Sequence, residues 1–184
     1  MGLGEEAVGP VILRTIRLYV YAMAQVLIVM GSKSDLPVAE KATALLKKFG
    51  ITFDIAVASA HRTPARVEEL VKGSDAEVFI AIAGMSAALP GVMASFTVRP
   101  VIGVPVQGKM SMDAILSVVQ MPPGIPVATV GVNGALNAAI LAVEMLALSD
   151  KNIAEKVMAY KEGLKDKIVK ANEELAAITY DYKC

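Results

Sequence analysis

The chain has 184 residues, room for one domain of ordinary size, and its 18 basic and 18 acidic residues cancel, so no overall field draws in nucleic acid or an anionic membrane. Cys184, its only cysteine, excludes an intrachain disulfide or a zinc cluster and fits a reducing, cytoplasmic setting. With 55% hydrophobic and 20% charged residues, the chain carries more apolar surface than a monomer easily hides, so assembly into a homo-oligomer is expected.

Residues 1–22 read as an N-terminal extension ahead of a single domain over 23–184. The apolar stretch at 11–24 is broken by Arg14 and Arg17 and preceded by Glu5 and Glu6. It also falls short of the roughly 20 apolar residues that span a bilayer. Two uses stay open: a segment outside the fold, or one whose Leu13, Ile16, Leu18 and Tyr19 pack on a neighbouring subunit.

From there apolar runs alternate with helical patterns. A short apolar run at 25–30 has the character of a buried parallel strand. The loop 31–35 follows, and helical spacing of Val38, Ala42, Leu45, Leu46 and Phe49 predicts a helix over 37–49, stopped by Gly50. A strand at 52–58 leads into the loop 59–63, and a helix at 64–71 starts with Pro64 in its first turn. A strand at 77–83 ends in the turn 84–91. Runs at 100–104 and 126–130 complete about five strands. An Ala-rich helix is predicted over 135–148, and 150–178 reads as a charged, amphipathic helical arm. Strict alternation implies right-handed crossovers, hence an α/β fold: a three-layer, doubly wound parallel sheet. Ligands of such sheets bind outside the carboxyl ends of the strands, where the loops 31–35, 59–63 and 84–91 fall.

Each of these loops supports two readings. In the first, Gly31 lets a ligand approach the backbone, Ser32 and Ser34 donate to phosphate oxygens, and Asp35 accepts from ribose hydroxyls; alternatively Ser34 or Asp35 simply caps the following helix. The motif lacks the GK[ST] ending of a Walker A loop. In the second, Ser59-Ala60-His61-Arg62-Thr63 holds the only histidine of the chain. Histidine exchanges protons near neutral pH, and Arg62 can grip a phosphate through paired donors. The bland alternative is a surface histidine near a helix start. In the third, Gly84, Ser86 and Ala87 form either a backbone cradle or a tight strand-to-helix turn. The proline-rich stretch 120–126 reads as rigid punctuation, with Met121 a candidate to line a neighbour's pocket.

Together these segments resemble the phosphoribosylaminoimidazole carboxylase catalytic subunit family (PurE), which includes the N5-carboxyaminoimidazole ribonucleotide mutases. The matching elements are MGSxSD at 30–35, SAHRTP at 59–64, AG…ALPG at 83–91, VIGVPVQ at 101–107, VQMPxGIPVATV at 119–130 and NAA at 137–139. The resemblance implies a flavodoxin-like fold, a cytoplasmic homo-octamer (a tetramer in some members), and neither metal nor organic cofactor. It further implies that Ser32, Asp35 and Arg62 bind the phosphate and ribose of a ribonucleotide. Gly31, Ser34, Ser59, Ala60, Gly84, Ser86 and Ala87 would line the site, with His61 as general acid–base. The implied reaction rearranges N5-carboxyaminoimidazole ribonucleotide to 4-carboxy-5-aminoimidazole ribonucleotide through CO2.

One departure divides the expectation. Ala88 stands where mutases of the family usually have a second histidine, and Ala83-Gly84-Met85-Ser86-Ala87-Ala88-Leu89 resembles the class that carboxylates aminoimidazole ribonucleotide directly with CO2. Arg62 and the 119–130 stretch resemble the mutases, which the balance of features favours. Two further classes stand against an enzyme of either kind: a non-enzymatic nucleotide-binding module, which would have no use for His61, and a flavin electron carrier, for which a chain without tryptophan offers few aromatic rings to stack.

Overall fold

The computed structural model describes residues 24–108 and 111–179, so the expectations for residues 1–22 and for Cys184 lie outside the described residues. Five parallel strands form one sheet in the order β2-β1-β3-β4-β5: β1 (Val26–Met30), β2 (Phe53–Val57), β3 (Val78–Ala83), β4 (Val101–Pro105) and β5 (Ala128–Thr129). Strand β1 pairs in register with both β2 and β3, Val26 standing between Phe53 and Val78, and β3 is the central strand of the five. Strand order reverses between β1 and β3, which opens a crevice at their carboxyl ends.

The alternation of strand side chains builds two cores. Val26, Ile28 and Met30 of β1 point into one with Val78, Ile80 and Ile82 of β3; it is closed by α1 (Leu36–Phe49), α5 (Ala135–Ala147) and the start of α6 (Lys151–Ala176). Leu27, Val29, Phe79 and Ala81 point into the other, closed by α2 (Pro64–Lys72), α3 (Leu89–Ser95) and α4 (Ser111–Val119). Both faces of β1, β3 and β4 are thus buried, which is why these strands are continuous apolar runs rather than alternating ones. Small buried side chains on α5 (Ala135, Ala138, Ala139 and Ala142) let that helix lie close against α1 and the sheet.

Four features differ from the sequence expectation, the first being helix α4 (Ser111–Val119), where no element was expected. A 3-10 turn at Lys33–Asp35 precedes α1 and carries Ser32 as its cap. The segment 84–91 is a turn only as far as Ala88, because α3 begins at Leu89 with Pro90 in its first turn. The expected strand 126–130 shortens to Ala128–Thr129 at the sheet edge. The long terminal helix is present: Asp150 caps α6 by accepting from the amides of Asn152 at 2.8 Å and Ile153 at 3.2 Å. Lys156 donates to the Phe49 carbonyl at 3.1 Å, and the Phe49 and Tyr160 rings meet at 5.4 Å, which docks its first turns on α1.

Candidate active site

The first loop folds back on its own carboxylate. The Ser32 amide donates to Asp35 Oδ2 at 3.1 Å, while the Ser34 amide donates to Ser32 Oγ at 3.3 Å, forming a reciprocal capping box around the 3-10 turn. The Ser34 hydroxyl lies 3.0 Å from Ser32 Oγ and 3.4 Å from Asp35 Oδ1. Asp35 is the one buried charged residue among the described residues, at 7% exposure. Burial pushes its carboxyl above the usual aspartate range, and the bonds from Ser32 and Ser34 pull it partly back. At Gly31 an added Cβ would meet its neighbours only at 3.7–3.9 Å. The packing of the chain therefore does not itself demand glycine there, whereas a ligand lying on the backbone would.

The second loop is pinned at its ends. The Ser59 amide donates to Thr63 Oγ1 at 2.9 Å, and the Thr63 amide returns to the Ser59 carbonyl at 2.9 Å. Arg62 reaches across to the first loop: Nη2 donates to the Gly31 carbonyl at 3.1 Å and Nε lies 3.4 Å from Ser59 Oγ. Ala60 and His61 form the tip between these anchors. The imidazole of His61 is exposed and makes no hydrogen bond with any described residue.

The third loop, 84–88, is held by short turns, with the Ala87 amide donating to the Met85 carbonyl at 2.9 Å. Met85 takes a left-handed backbone, φ 56°. A fourth segment follows β4: the Gln107 amide donates to Asn133 Oδ1 at 3.0 Å, and Asn133 Nδ2 donates back to Gln107 Oε1 at 3.2 Å.

All four segments open on one cleft of about 650 Å³ at the carboxyl ends of the strands. Gly31, Ser32, Ser34, Asp35, Ser59, Ala60, His61, Arg62, Gly84, Ser86 and Ala87, the residues singled out from sequence, all line it. Sequence reasoning missed Met85 and Gln107 as lining residues, and Asn133 as the support that holds Gln107. For Gln107 a signal existed, since it closes the VIGVPVQ segment. Among the described residues no three histidine, cysteine or acidic side chains stand close enough to hold a metal ion. No described helix is long and apolar enough to cross a membrane.

Comparison with known proteins matches residues 25–167 to the family model described as AIR carboxylase. The N5-carboxyaminoimidazole ribonucleotide mutase of Methanocaldococcus jannaschii is 60% identical over 149 residues, covering 80% of this chain and 95% of that protein. The enzyme of the same name from Thermotoga maritima is 47% identical over 163 residues, 86% of this chain and 95% of that protein. Among solved structures, Treponema denticola PurE superposes with a TM-score of 0.74 at 38% identity, covering 82% of this chain and 97% of that one.

Proposed function

The chain belongs to the AIR carboxylase family, and from that premise we propose that it works in purine biosynthesis as an N5-carboxyaminoimidazole ribonucleotide mutase, producing 4-carboxy-5-aminoimidazole ribonucleotide. The observation that carries this reading is the convergence of His61, Arg62, Ser32 and Asp35 on one cleft at the β1/β3 reversal.

Each side chain has spare capacity for its part. Ser32 Oγ accepts from Ser34 and keeps its own hydrogen for a phosphate oxygen. Arg62 uses Nη2 and Nε within the protein, leaving about three of its five N–H donors for the phosphate. Asp35 accepts one amide and one hydroxyl, so about two of its lone-pair positions remain for ribose hydroxyls.

With the ribonucleotide gripped, His61 donates a proton to the exocyclic nitrogen as its bond to the carboxyl carbon breaks and CO2 departs. The enamine-like ring carbon then attacks CO2, forming the new carbon–carbon bond, and His61 recovers the proton left on that carbon. Proton and electron pairs balance with no further reactant. The cleft's part is to keep CO2 beside the ring and water away from it.

Ala88 and Ser86 favour a second reading, direct carboxylation of aminoimidazole ribonucleotide by free CO2. One assay separates the two: each ribonucleotide supplied alone, with bicarbonate varied. The mutase reading expects turnover of the N5-carboxy compound without added bicarbonate. Turnover of aminoimidazole ribonucleotide at modest CO2, with no use of the N5-carboxy compound, overturns it.

The working form is a cytoplasmic homo-oligomer, an octamer on the family's pattern. Exposed apolar side chains support assembly: Ile55 and Val57 on the edge strand β2, and Leu164, Ile168, Leu175 and Ile178 towards the end of the chain. A monomeric mass by light scattering would refute it.

A further inference from the structure

Among the described residues only Met85 and Asn133 combine a side chain with positive φ, 56° and 55°. Asparagine is among the few side chains that visit that conformation readily, and the Asn133 side chain is held by two hydrogen bonds with Gln107 across the fold. Methionine has no such latitude. Its Cβ crowds the following carbonyl, a strain that glycine would not incur. Packing within the subunit does not offset the strain either, because Met85 is 81% exposed. Yet it lines the same cleft as His61. A residue that both lines a cleft and stays so exposed stands at its rim.

Strain retained at a cleft, on an apolar side chain with little packing inside its own subunit, points to a role in the cleft's own business. We propose that Met85 is a positioning residue: a flexible apolar rim that folds over the bound ribonucleotide and retains CO2 between its release and its recapture. The inference rests on the mutase reading, since only a released gas needs retaining. Its chemistry suits the task. CO2 has no net dipole and is lost by escape into water, so the useful barrier is apolar and adaptable, as an unbranched thioether is. The left-handed backbone turns residue 85 away from the run into α3, and the amide bonds from Ala87 to Met85 and from Ala88 to Ser86 hold that turn.

The test is the partition of N5-carboxyaminoimidazole ribonucleotide at low bicarbonate, read as aminoimidazole ribonucleotide escaping per carboxylated product. Met85→Gly should raise the escape ratio about tenfold, the scale of one apolar side chain's transfer energy. Its melting temperature should hold or rise, because the backbone strain is gone. Met85→Leu should keep the wild-type ratio, Met85→Gln should leak as the glycine variant does, and saturating bicarbonate should suppress the leak. A glycine variant with the wild-type ratio, or a leucine variant that leaks as badly as glycine, overturns the role of Met85 while leaving the mutase reading intact. A wild-type enzyme that does not turn over the N5-carboxy compound removes the mutase reading and this inference with it.

Discussion

The loops after β1 and β2 meet at the same cleft but are built on opposite plans. The β1 loop spends its polar groups on itself: Ser32, Ser34 and Asp35 bond one another around a carboxylate that is 7% exposed. The β2 loop fixes its ends through Ser59, Thr63 and Arg62 and leaves the imidazole of His61 bare. Groups that hold a ligand gain from being arranged before it arrives, since ordering them later would subtract from affinity. A group that must give and take a proton gains from having no standing partner, because such a bond would have to break in every cycle.

Removing the free imidazole tests the contrast most severely. His61→Asn should lower turnover by about 10²–10⁴-fold, the usual range for a lost general acid–base. Product affinity, measured by calorimetry, should stay within a few-fold of wild type because the gripping loop is untouched. Retained turnover would mean that a non-enzymatic nucleotide module, or another residue, explains the cleft better. Arg62→Ala attacks the strap between the loops. It removes both the phosphate donors and the 3.1 Å bond to the Gly31 carbonyl, so KM should rise roughly 10–100-fold, the range for a lost charge-assisted bond. Arg62→Lys should recover only part of it, because an ammonium cannot bond Gly31, Ser59 and phosphate at once.

Much of this arrangement was legible in the sequence, for reasons that also explain what was not. Strands β1, β3 and β4 are buried on both faces, so their apolar runs stand out. Helix α4 did not, because it buries Ala114 and Val118 while Met112, Leu116 and Val119 lie exposed, inverting the pattern of size that marks a packed face. Helix α3 was obscured by Pro90 and Gly91, which usually punctuate. Here Pro90 sits in the first turn, and a Cβ at Gly91 would come within 2.9 Å of Met121 Cε. Site residues borne directly on the three loops could be read in order. The Gln107–Asn133 pair could not, since its halves are 26 residues apart and meet only through the fold. Nor does anything about a methionine announce a left-handed backbone.

The buried carboxylate gives a smaller and more particular effect. Asp35→Asn leaves an oxygen to accept from Ser32 but weakens the grip on ribose, so substrate affinity should fall by about tenfold, one charge-assisted hydrogen bond. Its effect on stability has the other sign. A carboxyl raised above its unfolded value binds its proton more tightly in the folded chain, so stability falls as pH rises from the ordinary aspartate value through the raised one. At neutral pH the ionised Asp35 therefore costs stability, and the asparagine variant should melt no lower than wild type there. Any advantage should shrink in melts run at acid pH, where wild-type Asp35 is protonated as well. A variant that melts lower at pH 7 than wild type, by a margin that vanishes in acid, would show the carboxylate to be a net stabiliser.

Asp150 is the control that sharpens this, because it does the same local work without burial. Its carboxylate also accepts backbone amides, from Asn152 at 2.8 Å and Ile153 at 3.2 Å, but it is exposed at the start of α6 and far in the chain from the cleft loops. Water continues to solvate it, so the cap carries no desolvation cost to set against the bonds and the favourable helix dipole. Asp150→Ala should cost about 1 kcal/mol, a fall of roughly 2–4 °C in melting temperature for a domain of this size, with turnover per folded enzyme unchanged. The two aspartates should therefore separate cleanly, one lost with stability and no chemistry, the other with affinity and no stability. If both variants moved melting temperature in the same direction and by the same amount, burial would not be what distinguishes them, and the idea that the β1 loop holds its carboxylate for the ligand would fail.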